Sequence, residues 1–241
     1  MAPGDGAAPP PAAGEVFGDR LPLLERYAGW LAGAGIERGL LGPREAERLW
    51  PRHLLNCAGL ADLVVTGASV CDVGSGAGLP GVVLAAQRED CFVVLLEPLL
   101  RRATFLEEVV ADLGLRNARV VRGRAEQHTA RYDVVTSRAV APLDRLAAWS
   151  LPLVGEEGVV LALKGARARQ EVEEHAAALA ALGVQEVEVV DAPSPEPEAS
   201  TEVVRLVPGP PPRRGPGRPG ARGPRVGRSP GSRPRRPPRA R

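Results

Sequence analysis

The chain has 241 residues, 44% hydrophobic and 25% charged, enough apolar content for one sizeable core. No run approaches the roughly 20 apolar residues of a membrane span, and Cys57, Cys71 and Cys91 show no CxxC spacing, so a disulfide framework and a structural zinc site are both disfavoured. A cytoplasmic, reduced, metal-free protein is expected, with no membrane partner. Charge is distributed unevenly. The 34 residues from Pro208 to Arg241 hold 11 Arg, 11 Pro and 7 Gly and no acid, and taking those 11 charges from the formal +2 leaves −9 for residues 1–207. The basicity belongs to the tail, which cannot pack a core and is expected to be disordered.

In chain order, "MAPGDGAAPPPAAG" (1–14) lacks the basic start and apolar centre of a secretory signal. It predicts a disordered leader over residues 1–19. Residues 21–33 and 44–64 predict two helices packed on the domain as an extension. "VCDV" (70–73) is a short apolar run bounded by glycine, hence a buried strand, and "LPGVVLAAQRE" after it has helical spacing with Pro80 in the first turn. "CFVVLLE" (91–97) predicts a second strand. Residues 99–114 predict a helix whose apolar stripe is Leu99, Ala103, Leu106, Val110 and Leu113, ended by Gly114. "ARVVRG", "YDVVTS", "GVVLALKG" and "TEVVRLV" continue the strands, with helices near 142–150 and 166–182. Strand–helix repetition of this kind implies a mostly parallel sheet with helices on both faces. One folded domain over residues 20–207 follows.

In such a sheet a ligand sits at the carboxyl ends of the strands, and the first strand-to-helix turn is where a bare backbone can approach it. Here that turn is "VGSGAGLPG", with Gly74, Gly76, Gly78 and Gly81 following Asp72. Gly76-x-Gly78-x-x-Gly81 also fits a dinucleotide fingerprint, with Glu97 as the ribose acid. Against that, Asp72 offers a carboxylate to a cationic amino acid group, which a dinucleotide lacks. Val160 stands four residues before Lys164, so the Tyr-x-x-x-Lys pair of many dehydrogenases is missing. A P-loop is excluded because no Gly-Lys-[Ser/Thr] occurs. S-adenosylmethionine satisfies all three elements. Its ammonium would face Asp72, its main chain would lie along Gly74 to Gly78, and its ribose hydroxyls would bond Glu97.

The combination of "RHLLN", "DVGSGAGLPG", "LLEPLLRRATFLEEVVADLGL", "SRAVAPL" and "LALKG" resembles the RsmG (GidB) family of bacterial small-subunit rRNA methyltransferases over roughly residues 20–207. The resemblance implies a class I, Rossmann-like methyltransferase fold and methyl transfer to N7 of guanine-527 in the 530 loop of 16S rRNA. It also implies donor contacts at Gly74, Leu79, the Ala125–Glu126 pair and Arg138. Pro51 and Asn56 stand where relatives often carry acids, and the tail lies outside the resemblance.

The residues agree with that chemistry. "TSRAVAPL" (136–143) holds neither the Asn/Asp-Pro-Pro-Tyr of amino-directed enzymes nor a cysteine nucleophile. Guanine N7 has a free lone pair and no proton to lose, so positioning can supply most of the rate without a general base. Arg138, at a strand's carboxyl end, and Lys164, the only lysine among 31 basic residues, are the candidate catalytic residues. Arg52 and His53 are open between RNA contact and packing. Trp30, Trp50 and Trp149 read as core, and Glu107 and Glu108 as a solvated helix face. Residues 101–138 hold eight Arg against five acids, some clustering of positive charge on an acidic body. Composition does not settle the substrate, and it is the resemblance that implies 16S rRNA or the small ribosomal subunit as partner. A monomer is expected. A small-molecule methyltransferase, an NAD-dependent oxidoreductase and a plain RNA-binding module are the competing readings.

Overall fold

The computed structural model describes residues 8–138, 140–192, 194–196 and 199–209. The expected disorder of residues 1–7 and of the tail from residue 210 onward falls outside the described residues. Seven strands form one sheet: β1 (Ser69–Val73), β2 (Phe92–Glu97), β3 (Ala118–Arg122), β4 (Tyr132–Arg138), β5 (Val154–Leu163), β6 (Val184–Ala192) and β7 (Thr201–Pro208). Their order is β3-β2-β1-β4-β5-β7-β6. The first five pair parallel, and β7 runs antiparallel to both β5 and β6. This is the mostly parallel α/β sheet that the strand–helix alternation predicts.

Because successive strand residues point to opposite faces, each apolar run divides between two cores. Val70, Val93, Leu95, Val134 and Leu161 pack with α4 (Gly81–Gln87), α5 (Leu100–Leu113) and the N-terminal extension. Cys71, Val73, Val94, Leu96, Val135 and Val160 pack with α6 (Leu143–Ser150) and α7 (Ala168–Ala181). The continuous hydrophobicity of β1, β2 and β5 is thus what a strand covered on both faces needs. All three cysteines are free and buried. Among the described residues, no helix is long and apolar enough to cross a membrane.

Three expectations need correction. Residues 11–17 are not part of a disordered leader: Pro11–Phe17 forms α1, burying Ala12, Ala13 and Phe17, with the Phe17 ring 6.3 Å from that of Trp50. One apolar edge inside an Ala/Pro stretch was enough to fix it. Residues 44–64 are not one helix. Pro43–Arg48 and Gly59–Leu63 are 3₁₀ turns around a wide Trp50–Leu55 turn and the short α3 (Asn56–Ala58), and Pro51 lacks the N–H that a regular helix would use there. Finally, β6 is absent from the predicted strands. Its Glu186 and Glu188 lie on the exposed side and pair with Arg205 of β7 at 3.1 and 3.7 Å, the charged pattern of a half-solvated edge strand.

The extension is seated on α5 by α2 (Leu21–Trp30) and the turn after it. Trp30 Nε1 donates to Asp112 at 2.9 Å, Arg38 pairs with Glu108 at 2.7 Å, and the Phe105 ring sits edge-on to Trp30 at 6.0 Å with the Arg38 guanidinium 5.8 Å from it. Leu99 and Leu100 are exposed, so the buried stripe of α5 is Ala103, Phe105, Leu106, Val109 and Leu113. Phe105 is fully enclosed between extension and sheet. Phe105→Ala is expected to destabilise the fold by about 3–5 kcal/mol, read as a lower urea midpoint at unchanged slope.

Candidate active site

The last residue of β1 is followed by a turn that only a bare backbone can make. Gly74 and Gly78 have φ of 69° and 100°. A Cβ on Gly78 would lie 2.5 Å from Val82 and 2.8 Å from the Tyr27 hydroxyl, and one on Gly74 would press on Val140 at 3.1 Å. Two carboxylates hold this turn. Asp72 Oδ2 accepts the Ser75 hydroxyl at 2.6 Å and the Gly81 N–H at 3.0 Å. Glu97, at the end of β2, accepts the Gly76 N–H on Oε2 and the Leu99 N–H on Oε1, both at 2.9 Å. From the extension, Tyr27 donates to the Ala77 carbonyl at 2.7 Å.

Above the turn lies a cavity of about 920 Å³ whose walls include Gly74, Gly76, Leu79, Glu97, Arg124 and Arg138. It sits at the carboxyl ends of β1 to β4, where the strand order reverses between β1 and β4, the place where open α/β sheets bind ligands. An apolar recess of about 140 Å³ opens beside it, lined by Val73, Leu96, Ala125, Glu126, Val140 and Trp149.

Arg138 stands between this cavity and a second one of about 680 Å³, of which Arg52, Asn56, Lys164 and Glu171 form part of the wall. Its guanidinium donates to the Arg52 carbonyl at 2.8 Å, to His53 Nδ1 at 2.9 Å and to Cys57 Sγ at 3.2 Å. Since His53 Nδ1 accepts, its Nε2 carries the proton and donates to Glu45 at 2.7 Å. Burial and the Arg138 charge hold the His53 pKa down, which keeps this ring neutral near pH 7. Lys164, its side chain mostly buried, donates to the Ala141 carbonyl and to Glu171 Oε2, both at 2.8 Å.

Comparison with known proteins places this arrangement. The family described as rRNA small subunit methyltransferase G matches residues 20–199. The chain belongs to that family. The ribosomal RNA small subunit methyltransferase G of Mycolicibacterium gilvum is 59% identical over 186 residues, covering 75% of this chain and 82% of the relative. That of Streptomyces avermitilis is 57% identical over 184 residues, covering 75% and 77%. A crystal structure from Methanococcus maripaludis, described as an S-adenosyl-L-methionine-dependent methyltransferase, superposes with a TM-score of 0.51 at 15% identity, covering 74% of this chain and 91% of its own. It shares the fold.

In this member of the methyltransferase G family, the sequence-predicted residues separate into distinct places. Gly74, Gly76, Leu79, Glu97 and Arg138 line the main cavity, while Ala125 and Glu126 line the recess. Asp72 is not on the cavity wall. Its side chain is fully enclosed and grips the turn from beneath, because Ser75 and Gly81 reach the carboxylate first. Gly78 is likewise spent on packing against Val82 and Tyr27. Lys164 shares the second cavity with Arg138. His53 is largely buried, bonded to Arg138 and Glu45, and borders the main cavity, Trp50 is core, and Trp149 is half-buried at the recess instead of in the core. Glu45 and Glu171 were missed. Each lies within an unremarkable charged run, and only the fold sets them against His53 and Lys164.

Burial pushes the Asp72 carboxyl up to about 6 from 3.8, with the Ser75 and Gly81 hydrogen bonds opposing the rise. A raised folded value stabilises the fold below about pH 4, and this contribution is lost as pH climbs through about 6. It amounts to about 3 kcal/mol at the upper limit. Asp72→Asn should therefore lack that part of the parent's decline in Tm between about pH 4 and 6.5, as followed by calorimetry.

Proposed function

We propose that the chain transfers a methyl group from S-adenosylmethionine to N7 of guanine-527 in the 530 loop of 16S rRNA. Family membership supports the reaction, and the residues of the turn fit the donor. Glu97 spends one backbone N–H on each carboxylate oxygen and keeps lone pairs for two ribose hydroxyls. The bare backbone at Gly74 and Gly76 borders the cavity beside it, and the mainly apolar recess of about 140 Å³ by Ala125 and Trp149 has room for an adenine. When bound, the donor supplies an electrophilic methyl group on sulfur. Asp72 serves that site through the turn it fastens. Arg138 and Lys164 serve the acceptor side, as fixed cations near an RNA chain. Since N7 presents a lone pair, these groups need only to position and exclude water. No base has to remove a proton.

A monomer acting in the cytoplasm, where small-subunit RNA would be met, is part of the same proposal. The deciding experiment incubates the protein with labelled S-adenosylmethionine and small subunits, or their RNA, lacking the modification, followed by nucleoside analysis. 7-Methylguanosine is the expected product. Glu97→Ala should weaken donor binding by about 1–3 kcal/mol in calorimetry. Tight NADH binding that depends on Glu97, with no donor binding, would return the oxidoreductase reading.

A body of −9 repels phosphate, and we assign to the eleven arginines of the tail the task of offsetting that repulsion. Deleting residues 208–241 should leave donor affinity unchanged and weaken binding to the ribosomal substrate. The slope of log affinity against log salt should become shallower by roughly 0.7–0.9 per lost phosphate contact. Identical affinities and slopes would remove this role from the tail.

A further inference from the structure

The second cavity has a composition that the donor does not explain. It meets the main cavity at Arg138 and Val140, so a base seated in it borders the place where the methyl group is delivered. Its floor carries an ammonium and a carboxylate in contact, Lys164 Nζ and Glu171 Oε2, 2.8 Å apart. Both side chains are largely withdrawn from water, at 7% and 19% exposure, which makes hydrogen bonds to them more selective than they would be on an open surface. Neither group is used up. An ammonium has three protons, and Lys164 spends two, on Ala141 and Glu171. Among the described residues, Glu171 Oε1 takes no hydrogen bond.

We propose that this cavity receives the acceptor base and that Lys164 and Glu171 read it as guanine, the ammonium donating to O6 and the carboxylate accepting from N1–H. The inference rests on the methyl-transfer reading above. On guanine, O6 stands between N7 on one side and N1–H on the other, so the edge runs acceptor, acceptor, donor. A cation and an anion in contact match the O6 and N1–H pair and leave N7 free on the side away from Glu171. Adenine reverses both positions. It puts an amino group against the ammonium and a lone pair against the carboxylate, two buried mismatches in place of two hydrogen bonds. Adenine also has an N7, so discrimination has to come from such a reader and not from the methyl transfer itself. The compact ammonium of the chain's only lysine suits one acceptor atom beside a carboxylate; a guanidinium would spread over both.

The test compares the parent, Glu171→Gln, Glu171→Asp and Lys164→Arg on small-subunit RNA carrying guanine or adenine at the target position. The readouts are kcat/KM for methyl transfer, donor affinity by calorimetry, and Tm. Glu171→Gln is expected to lose about 10- to 100-fold in kcat/KM on guanine, with donor affinity and Tm near the parent's. Its preference for guanine over adenine should narrow, and Glu171→Asp should recover part of the loss. Lys164→Arg should also lose activity on guanine with donor binding intact. Parental kcat/KM and guanine preference in Glu171→Gln would overturn the inference while leaving the methyltransferase reading standing. Equal loss of donor affinity or Tm would overturn it too, by making the pair structural. A parent that methylates no small-subunit RNA would overturn both readings together.

Discussion

The rest of the site depends on the fastening of one glycine turn by two carboxylates. Asp72 and Glu97 lie at the carboxyl ends of neighbouring parallel strands; Asp72 accepts the Ser75 hydroxyl and the Gly81 N–H on Oδ2 alone, while Glu97 takes Gly76 on one oxygen and Leu99 on the other. Burying an acid is unfavourable unless it is satisfied. Here the cost is met in full only at Glu97; Asp72 keeps its buried Oδ1 without a partner among the described residues, in line with its raised pKa. The two acids then divide the work. Asp72 is enclosed and structural, whereas Glu97 also faces the cavity. Two carboxylates on neighbouring strands are thus both the scaffold of the loop and, through Glu97, an edge of the main cavity.

A second constraint links the extension to the chemistry. Arg138, at the end of β4, is gripped by the Arg52 carbonyl, His53 and Cys57, and His53 is oriented by Glu45. Tyr27 reaches from the same extension to Ala77 in the glycine turn. The helices before β1 therefore do more than cover one face of the sheet. They hold the residue that divides the two cavities, so the two share a wall whose position is set by residues 27–57. A side chain with this many fixed partners has one orientation, which a reaction governed by positioning requires.

Electrostatics divide the chain along its length. Residues 1–207 are acidic overall and the edge hairpin carries glutamates on its solvated face, while Arg102, Arg122, Arg124 and Arg138 line the main cavity, Arg52, Arg138 and Arg167 line the second, and eleven arginines lie in the tail sequence.

Much of the fold was legible in residues 70–165, because each buried parallel strand is a continuous apolar run and each crossover helix has its own stripe and stop, as with Gly114 after α5. The glycine turn and its two acids were legible for the same reason: strand, turn and helix are adjacent in sequence, and the spacing carries the geometry. Local signals failed where the partner is distant. The alternating valines and glutamates of β6 make sense only beside β7, and α1 is held by Trp50; the broken helix at Pro51 was legible in principle, since proline lacks the N–H a regular helix needs there. The same holds for function. Sequence assigned Asp72, Glu97, Arg138 and Lys164 to one site by type and position. Tertiary structure placed Asp72 beneath the turn, Glu97 on the wall of the main cavity, Arg138 between two cavities and Lys164 against Glu171 in the second. Hydrophobic period and turn chemistry are properties of neighbours along the chain, whereas the partner of a buried charge is chosen by packing across it.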